Sequence, residues 1–186
     1  MNDEELLELV RRGEPSGTSA LFEKYSAPLL RFSDRMLHDR GEAEEVTQEV
    51  FLKMISRADQ YDGRASVSSW LYAIAANACR DRLRRHRRAV MVPLEAVAEI
   101  ASAGEGVEDR ILDRQRKAAV RRALSRLSAD QREALVLARY HGMPYAEIAL
   151  VLEISEGAVK TRIFHAMETL RSFFSEGDPQ WNAVTS

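Results

Sequence analysis

The chain has little of what most protein chemistry requires. Among its 186 residues there is one cysteine, Cys79. An intramolecular disulfide is therefore excluded, and no Cys/His set has the spacing of a zinc site. The histidines, His38, His86, His141 and His165, have no ligand-like interval between them. There is no P-loop, Gly-rich dinucleotide turn, HExxH or nucleophile elbow. No catalytic site, metal or cofactor is expected. Apolar runs never reach the roughly 18 residues of a membrane span. The opening Met1-Asn2-Asp3-Glu4-Glu5 lacks the basic segment of a signal peptide, so a cytoplasmic protein is expected. A net charge of −2 gives no global basic bias. Any nucleic-acid reading has to rest on how charge is distributed.

What is present is ordinary globular material, 45% apolar and 30% charged. The length suits one domain or two small ones. Apolar spacing is helical along the chain, so the expected fold is all-α. Two small helical domains are joined by a linker, and the second contains a helix-turn-helix. Asp3 to Arg12 runs from acids to arginines, the order that suits a helix macrodipole, and Gly13, Pro15 and Gly17 are read as its stop. A second helix spans about Thr18 to His38, with Leu21, Phe22, Tyr25, Leu29, Phe32, Met36 and Leu37 as its core set. Pro28 inside it predicts a kink or break near Ser26-Ala27.

The third helix, Glu42 to about Arg57, has a core stripe of Ala43, Val46, Val50 and Met54. A different face carries Glu45, Gln48, Glu49 and Leu52. That face is either a solvated acidic surface with one leucine or a docking surface for a basic partner helix. Periodicity leaves both open. After the loop Asp59 to Val67, a long helix from about Ser68 to Arg88 can turn Trp70, Leu71, Ile74, Ala75, Ala78 and Leu83 inward, with Ser66 or Ser68 as its N-cap. It ends in Arg80, Arg82, Arg84, Arg85, Arg87 and Arg88, more cations than capping needs, and an electrostatic nucleic-acid footprint is the economical account. Tyr61, Trp70 and Tyr72 precede it. Rings beside a cationic track are what single-stranded bases stack on.

Residues 89–113 read as an acidic linker and 176–186 as a tail. Between them a helix resumes at Arg114, with Ala119, Val120, Ala123, Leu124 and Leu127 available to a core. Ser128-Ala129-Asp130-Gln131 is a capping box that starts another helix, and Gly142 stops it at C′. Pro144 to Glu153 and Ser155 to Arg171 then make the two helices of a helix-turn-helix, whose second member can lie in a DNA major groove. Tyr145, Ile148, Ala149 and Leu152 are assigned to the buried side of the first. Val159, Ile163, Ala166 and Leu170 hold the second. That leaves Glu156, Ala158, Lys160, Thr161, Arg162 and His165 near the exposed half of the reading helix.

Two blocks are similar to a known family. Glu44-Glu45-Val46-Thr47-Gln48-Glu49-Val50-Phe51, followed by Ala65 to Asn77 (ASVSSWLYAIAAN), resembles region 2 of extracytoplasmic-function, or group IV, sigma factors of bacterial RNA polymerase. Gly142 to Arg171 resembles their region 4. The resemblance implies region 2 over 1–88, region 4 over 114–175, and a promoter-recognition subunit without catalysis of its own. It further implies that Glu45, Gln48, Glu49 and Leu52 dock on core RNA polymerase. Tyr61, Arg64, Ser66, Trp70, Tyr72, Asn77, Arg80 and Arg84 would take the minus-ten element as melted strand. Ser155, Glu156, Lys160, Thr161, Arg162 and His165 would read the minus-thirty-five element as duplex. An anti-sigma partner is common in the family. Val67, Ala73, Ala76, Ala78, Ala158 and Phe164 depart from its pattern. Two other classes stand beside this reading. A conventional helix-turn-helix regulator acting alone would bind a two-fold operator. A DNA-acting enzyme would need an acidic cluster or nucleophile in the N-terminal half, where none stands out.

Overall fold

The computed structural model describes residues 1–89 and 118–175. The linker assignment beyond Ala89, the start of the helix expected from Arg114, and the tail with Trp181 lie outside these residues. Eight α-helices and one short 3-10 turn are described: α1 (Asp3–Arg11), α2 (Pro15–Leu37), α3 (Arg40–Ser56), the 3-10 turn (Ala58–Gln60), α4 (Val67–Ala89), α5 (118–125), α6 (Ala129–Tyr140), α7 (Tyr145–Leu152) and α8 (Glu156–Ser175). No strand occurs among them. The all-α expectation holds.

Local chemistry sets most helix ends. Asn2 and Glu5 form a reciprocal capping box on α1, and Asp39 accepts from Glu42 N–H to start α3. Ser66 Oγ accepts from Ser69 N–H at the start of α4. Ser128 and Gln131 cap α6 as their spacing predicts. Gly142, at φ +61°, follows the end of α6, and Ser155 accepts from Ala158 N–H at the start of α8.

Three expectations near the N-terminus are corrected. Pro15 and Gly17 do not stop a helix; Pro15 opens α2, where its missing N–H costs nothing. Gly17 is the close-approach point of the α1–α2 crossing. A Cβ there would stand 2.5 Å from Leu6 O and 2.7 Å from Leu9 Cβ. Gly17→Ala is therefore expected to push the helices apart and lower stability by about 1–3 kcal/mol in thermal denaturation. The third correction concerns only the break expected near Ser26-Ala27: α2 runs unbroken through Pro28. Packing of Tyr25, Leu29, Phe32 and Met36 on both sides of the proline holds it helical.

Helices α1 to α4 share one core, with Leu7, Leu21, Leu29, Phe32, Val46, Val50, Met54 and Leu71 fully buried. Ala43, Val46, Val50 and Met54 all face it, as their stripe predicts. Phe22 does not. It is half exposed and packs its ring on Phe51, 4.8 Å between centroids. Helices α5 to α8 build the second unit around Leu124, Leu127, Leu137, Ile148, Val159 and Ile163. Tyr145, expected inside, is exposed, because Pro144 serves as the N-cap of α7 and Tyr145 becomes its first helical residue. The units are in contact: α6 lies on α2, and α7 with α6 lies along α4.

Candidate nucleic-acid interface

The α3 face is open. Glu45, Gln48 and Leu52 are exposed and Glu49 half-buried. Ile55, three residues past Leu52, continues the stripe and is exposed as well. Sequence reading passed over Ile55, although its i+7 interval from Gln48 marks the same face. The acids are braced from α4. Arg82 reaches Glu49 at 3.0 Å and Glu45 at 3.6 Å, and Lys53 reaches Glu49 at 2.7 Å. Burial alone would raise the Glu49 carboxyl, yet the hydrogen bonds from Lys53 and Arg82 hold it below its ordinary value. Arg82 thus leaves the cationic track to which its neighbours were assigned. His86 turns the same way, with Nε2 2.8 Å from Glu42.

The remaining arginines of α4 line a different side. Arg84, Arg85, Arg87 and Arg88 are exposed. Arg84 pairs with Asp81 at 2.6 Å, and Arg80 donates to the exposed Asn77. Before the helix, Tyr61 and Trp70 stand with ring centroids 5.5 Å apart, both half-buried. Tyr61 OH donates to Ala65 O, and Arg11 donates to the carbonyls of Tyr61 and Ala58, which fixes the loop against α1. Arg64 is exposed beside Asp62. Ser66, Tyr72 and Arg80 are engaged elsewhere. Ser66 donates to Glu147, Tyr72 OH lies 2.7 Å from His141 Nδ1, and Arg80 Nε is 3.6 Å from Glu133. Tyr72 is buried, not presented to solvent as its assignment to the strand-holding face would have it. It packs edge-on against Phe32 of α2 and meets His141 of the second unit, a partner that no period in α4 could announce.

On α8, Ser155, Glu156, Lys160, Thr161 and His165 are exposed together, and Phe164 joins them. Thr161 Oγ1 donates to Gly157 O and His165 lies 3.7 Å from Glu168. Arg162 is drawn back to Asp130 at 3.2 Å and is half-buried.

The contact between the units holds titratable groups in unusual states. Glu133 is fully buried, and neither carboxyl oxygen has a hydrogen-bond partner. Arg80 stands at ion-pair distance, but burial outweighs that attraction and lifts the carboxyl to about 7. His38 and His141 are lowered to about 4, first by burial and then by arginines near each. The signs oppose. Glu133 keeps a proton that the unfolded chain releases above about 4.5, so its contribution is lost as pH rises toward 7. The histidines stay neutral while the unfolded chain charges them below about 6.5, so theirs is lost as pH falls toward 4. Two histidines outweigh one carboxyl on the acid side. The thermal midpoint should peak near about pH 6–7, and Glu133→Gln should raise stability at about pH 8 by roughly 1–3 kcal/mol while changing little at about pH 5.

These features define a helical DNA-binding protein of two units, one with a helix-turn-helix and one with an arginine-rich helix and a separate exposed acidic face. Residues 21–89 match the family described as Sigma-70 region 2, and residues 117–170 match Sigma-70, region 4. The RNA polymerase sigma-H factor of Pseudomonas aeruginosa is 33% identical over 178 residues, 90% of this chain and 91% of that protein. The ECF RNA polymerase sigma factor SigM of Mycobacterium tuberculosis is 34% identical over 169 residues, 91% of this chain and 83% of that protein. The chain belongs to the extracytoplasmic-function sigma factors of bacterial RNA polymerase. The same fold is seen in CnrH in complex with the cytosolic domain of CnrY, at a TM-score of 0.73 and 24% identity over 95% of this chain and 99% of that one. It is seen again in the sigma factor RpoE from Bartonella quintana in complex with the anti-sigma factor NepR, at 0.65 and 23% over 84% and 96%. Among the described residues no helix is long and apolar enough to cross a membrane.

Proposed function

We propose that this sigma factor docks on core RNA polymerase through Glu45, Gln48, Glu49 and Leu52, with Ile55 extending the apolar part of that contact. Residues 1–88 then act as region 2 and 114–175 as region 4. In this reading Tyr61, Arg64, Ser66, Trp70, Tyr72, Asn77, Arg80 and Arg84 hold the minus-ten element as melted strand. Ser155, Glu156, Lys160, Thr161, Arg162 and His165 read the minus-thirty-five element as duplex. The chain supplies recognition and strand capture rather than catalysis, and it works in the cytoplasm, where polymerase and DNA are. An anti-sigma protein, as in the RpoE complex, is part of the proposal.

The observation that carries this reading is the exposed stripe on α3. A regulator acting alone has no use for an acidic, apolar-centred face left open on α3. Transcription with purified core enzyme on a random promoter library tests it. Promoters selected in a chain-dependent way should share two spaced elements. A two-fold operator bound without polymerase would instead favour a conventional helix-turn-helix regulator. Within region 4, Lys160→Ala removes an exposed cation from the reading helix. It should weaken binding to the selected duplex and reduce the salt slope by about one, as measured by titration at several salt concentrations.

A further inference from the structure

Tyr61 owes its position to a residue 50 places earlier in the chain. Arg11, in the last turn of α1, donates through Nε to Ala58 O at 3.0 Å and through Nη2 to Tyr61 O at 2.7 Å. These carbonyls stand at the two ends of the 3-10 turn, where Tyr61 N–H also donates to Ala58 O at 3.2 Å. The far end of the loop is tied by the phenol itself, which donates to Ala65 O at 2.6 Å. Between the two ties Asp62 accepts from Arg64 N–H at 3.0 Å across Gly63, whose φ is +73°. Residues 62–64 are exposed. The loop thus has a held frame and an open tip. The Tyr61 ring, 5.5 Å from that of Trp70, sits on the frame.

Helix α1 does not depend on Arg11 for its own place. Leu7 and Val10 bury its inner face, Asp3 pairs with Lys24 and accepts from Tyr25 OH, and Gly17 lets α2 close on it. The shortest contacts of the Arg11 guanidinium are to the loop, with Glu8 farther at 3.4 Å. Arg12, the next residue, turns to Glu8 at 3.2 Å. A charged fork shared between two carbonyls of a short loop acts on that loop.

We propose that Arg11 is a positioning residue for minus-ten recognition: it holds the main chain of 58–61 so that Tyr61 and Trp70 stand ready for one melted base. Arg11 does this without touching DNA. A loop held in one arrangement before binding loses less freedom on capturing a base, and its selectivity follows from the fixed place of its ring and tip. A loose loop still meets the strand through charge and stacking, which every base offers, and no longer prefers one of them. Affinity for the preferred base falls with the fraction of time the receptive arrangement is held.

The inference rests on Tyr61 and Trp70 as minus-ten contacts, and the test keeps the two apart. Holoenzymes reconstituted with full-length wild type, Arg11→Ala, Arg11→Lys, Arg12→Ala and Tyr61→Ala transcribe one random promoter library. Base preference is then counted at every selected position. Arg11→Ala should relax preference at a single minus-ten position about fivefold, with minus-thirty-five preferences and polymerase affinity at wild-type values. Tyr61→Ala should relax the same position, and Arg12→Ala none. Arg11→Lys should recover part of the preference, since an ammonium can still reach one carbonyl. Thermal melts accompany each variant. A lower midpoint for Arg11→Ala with every preference intact, or with all positions weakened alike, would make Arg11 a scaffold residue and overturn the inference. Preference lost with Tyr61→Ala but kept with Arg11→Ala would overturn the inference alone. A selected minus-ten element indifferent to Tyr61→Ala would overturn the strand assignment of Tyr61 and the inference with it.

Discussion

Replacing Glu45 by lysine together with Leu52 by aspartate is expected to lower affinity for core RNA polymerase at least a hundredfold, about 3 kcal/mol or more. Neither side chain holds the fold. Leu52 is 67% exposed, and the Glu45 side chain is 71% exposed with Arg82 only at 3.6 Å. The loss should therefore appear in binding and not in the thermal midpoint. In the proposed docking Leu52 is the apolar anchor, and an aspartate there would be buried unpaired in the complex. Glu45→Lys places like charge against a basic partner. Reversing Glu49 would be a poorer experiment. A lysine at 49 would face Arg82, whose side chain is 11% exposed, and Lys53, so lost binding would be mixed with lost stability. Polymerase binding by the double variant at wild-type strength would show that the α3 face is not the docking surface.

That contrast between Glu45 and Glu49 marks how far the sequence could be read. The stripe of Glu45, Gln48, Glu49 and Leu52 was legible because it is a local, helical-period feature opposite a clear apolar face. So was the helix-turn-helix, since Ser128, Gly142 and Ser155 each state a helix end through their own chemistry. The partner of Glu49 was not legible. Arg82 sits among five other arginines in sequence, and only the packing of α4 on α3 turns it away from them. Phe22 shows the same limit. It shares the period of the α2 core yet lies half exposed on Phe51, because the edge of a core is set by neighbours rather than by period. The largest omission was the contact between the units. Tyr72 and Ala76 belong to a second buried face of α4, and a helix covered on two sides has no polar stripe to reveal which neighbour covers it.

Arg132→Ala should be the most destabilising single substitution in that contact, by about 3–5 kcal/mol. Arg132 is buried in the first turn of α6 and donates to three main-chain carbonyls: Leu124 at 3.0 Å, Leu127 at 3.3 Å and Met36 at 2.6 Å. Leu124 lies at the end of α5 and Met36 in the last turn of α2, so one guanidinium satisfies the negative ends of two helices from different units. Burial depresses its pKa, yet the fork of donors keeps the charge in place. Alanine leaves three carbonyls without their donor and removes the tie between region 2 and region 4. Calorimetry should then show region 4 unfolding at a lower temperature than region 2. Arg132→Lys should not restore the tie, because a point ammonium cannot reach three acceptors arranged for a planar fork. His38 gives an independent readout. Burial first, and the Arg132 charge next, hold its imidazole near 4. In the alanine variant its NMR titration should move toward the ordinary value of 6.5. An unmoved His38 beside an unchanged melt would mean that Arg132 does not couple the two units.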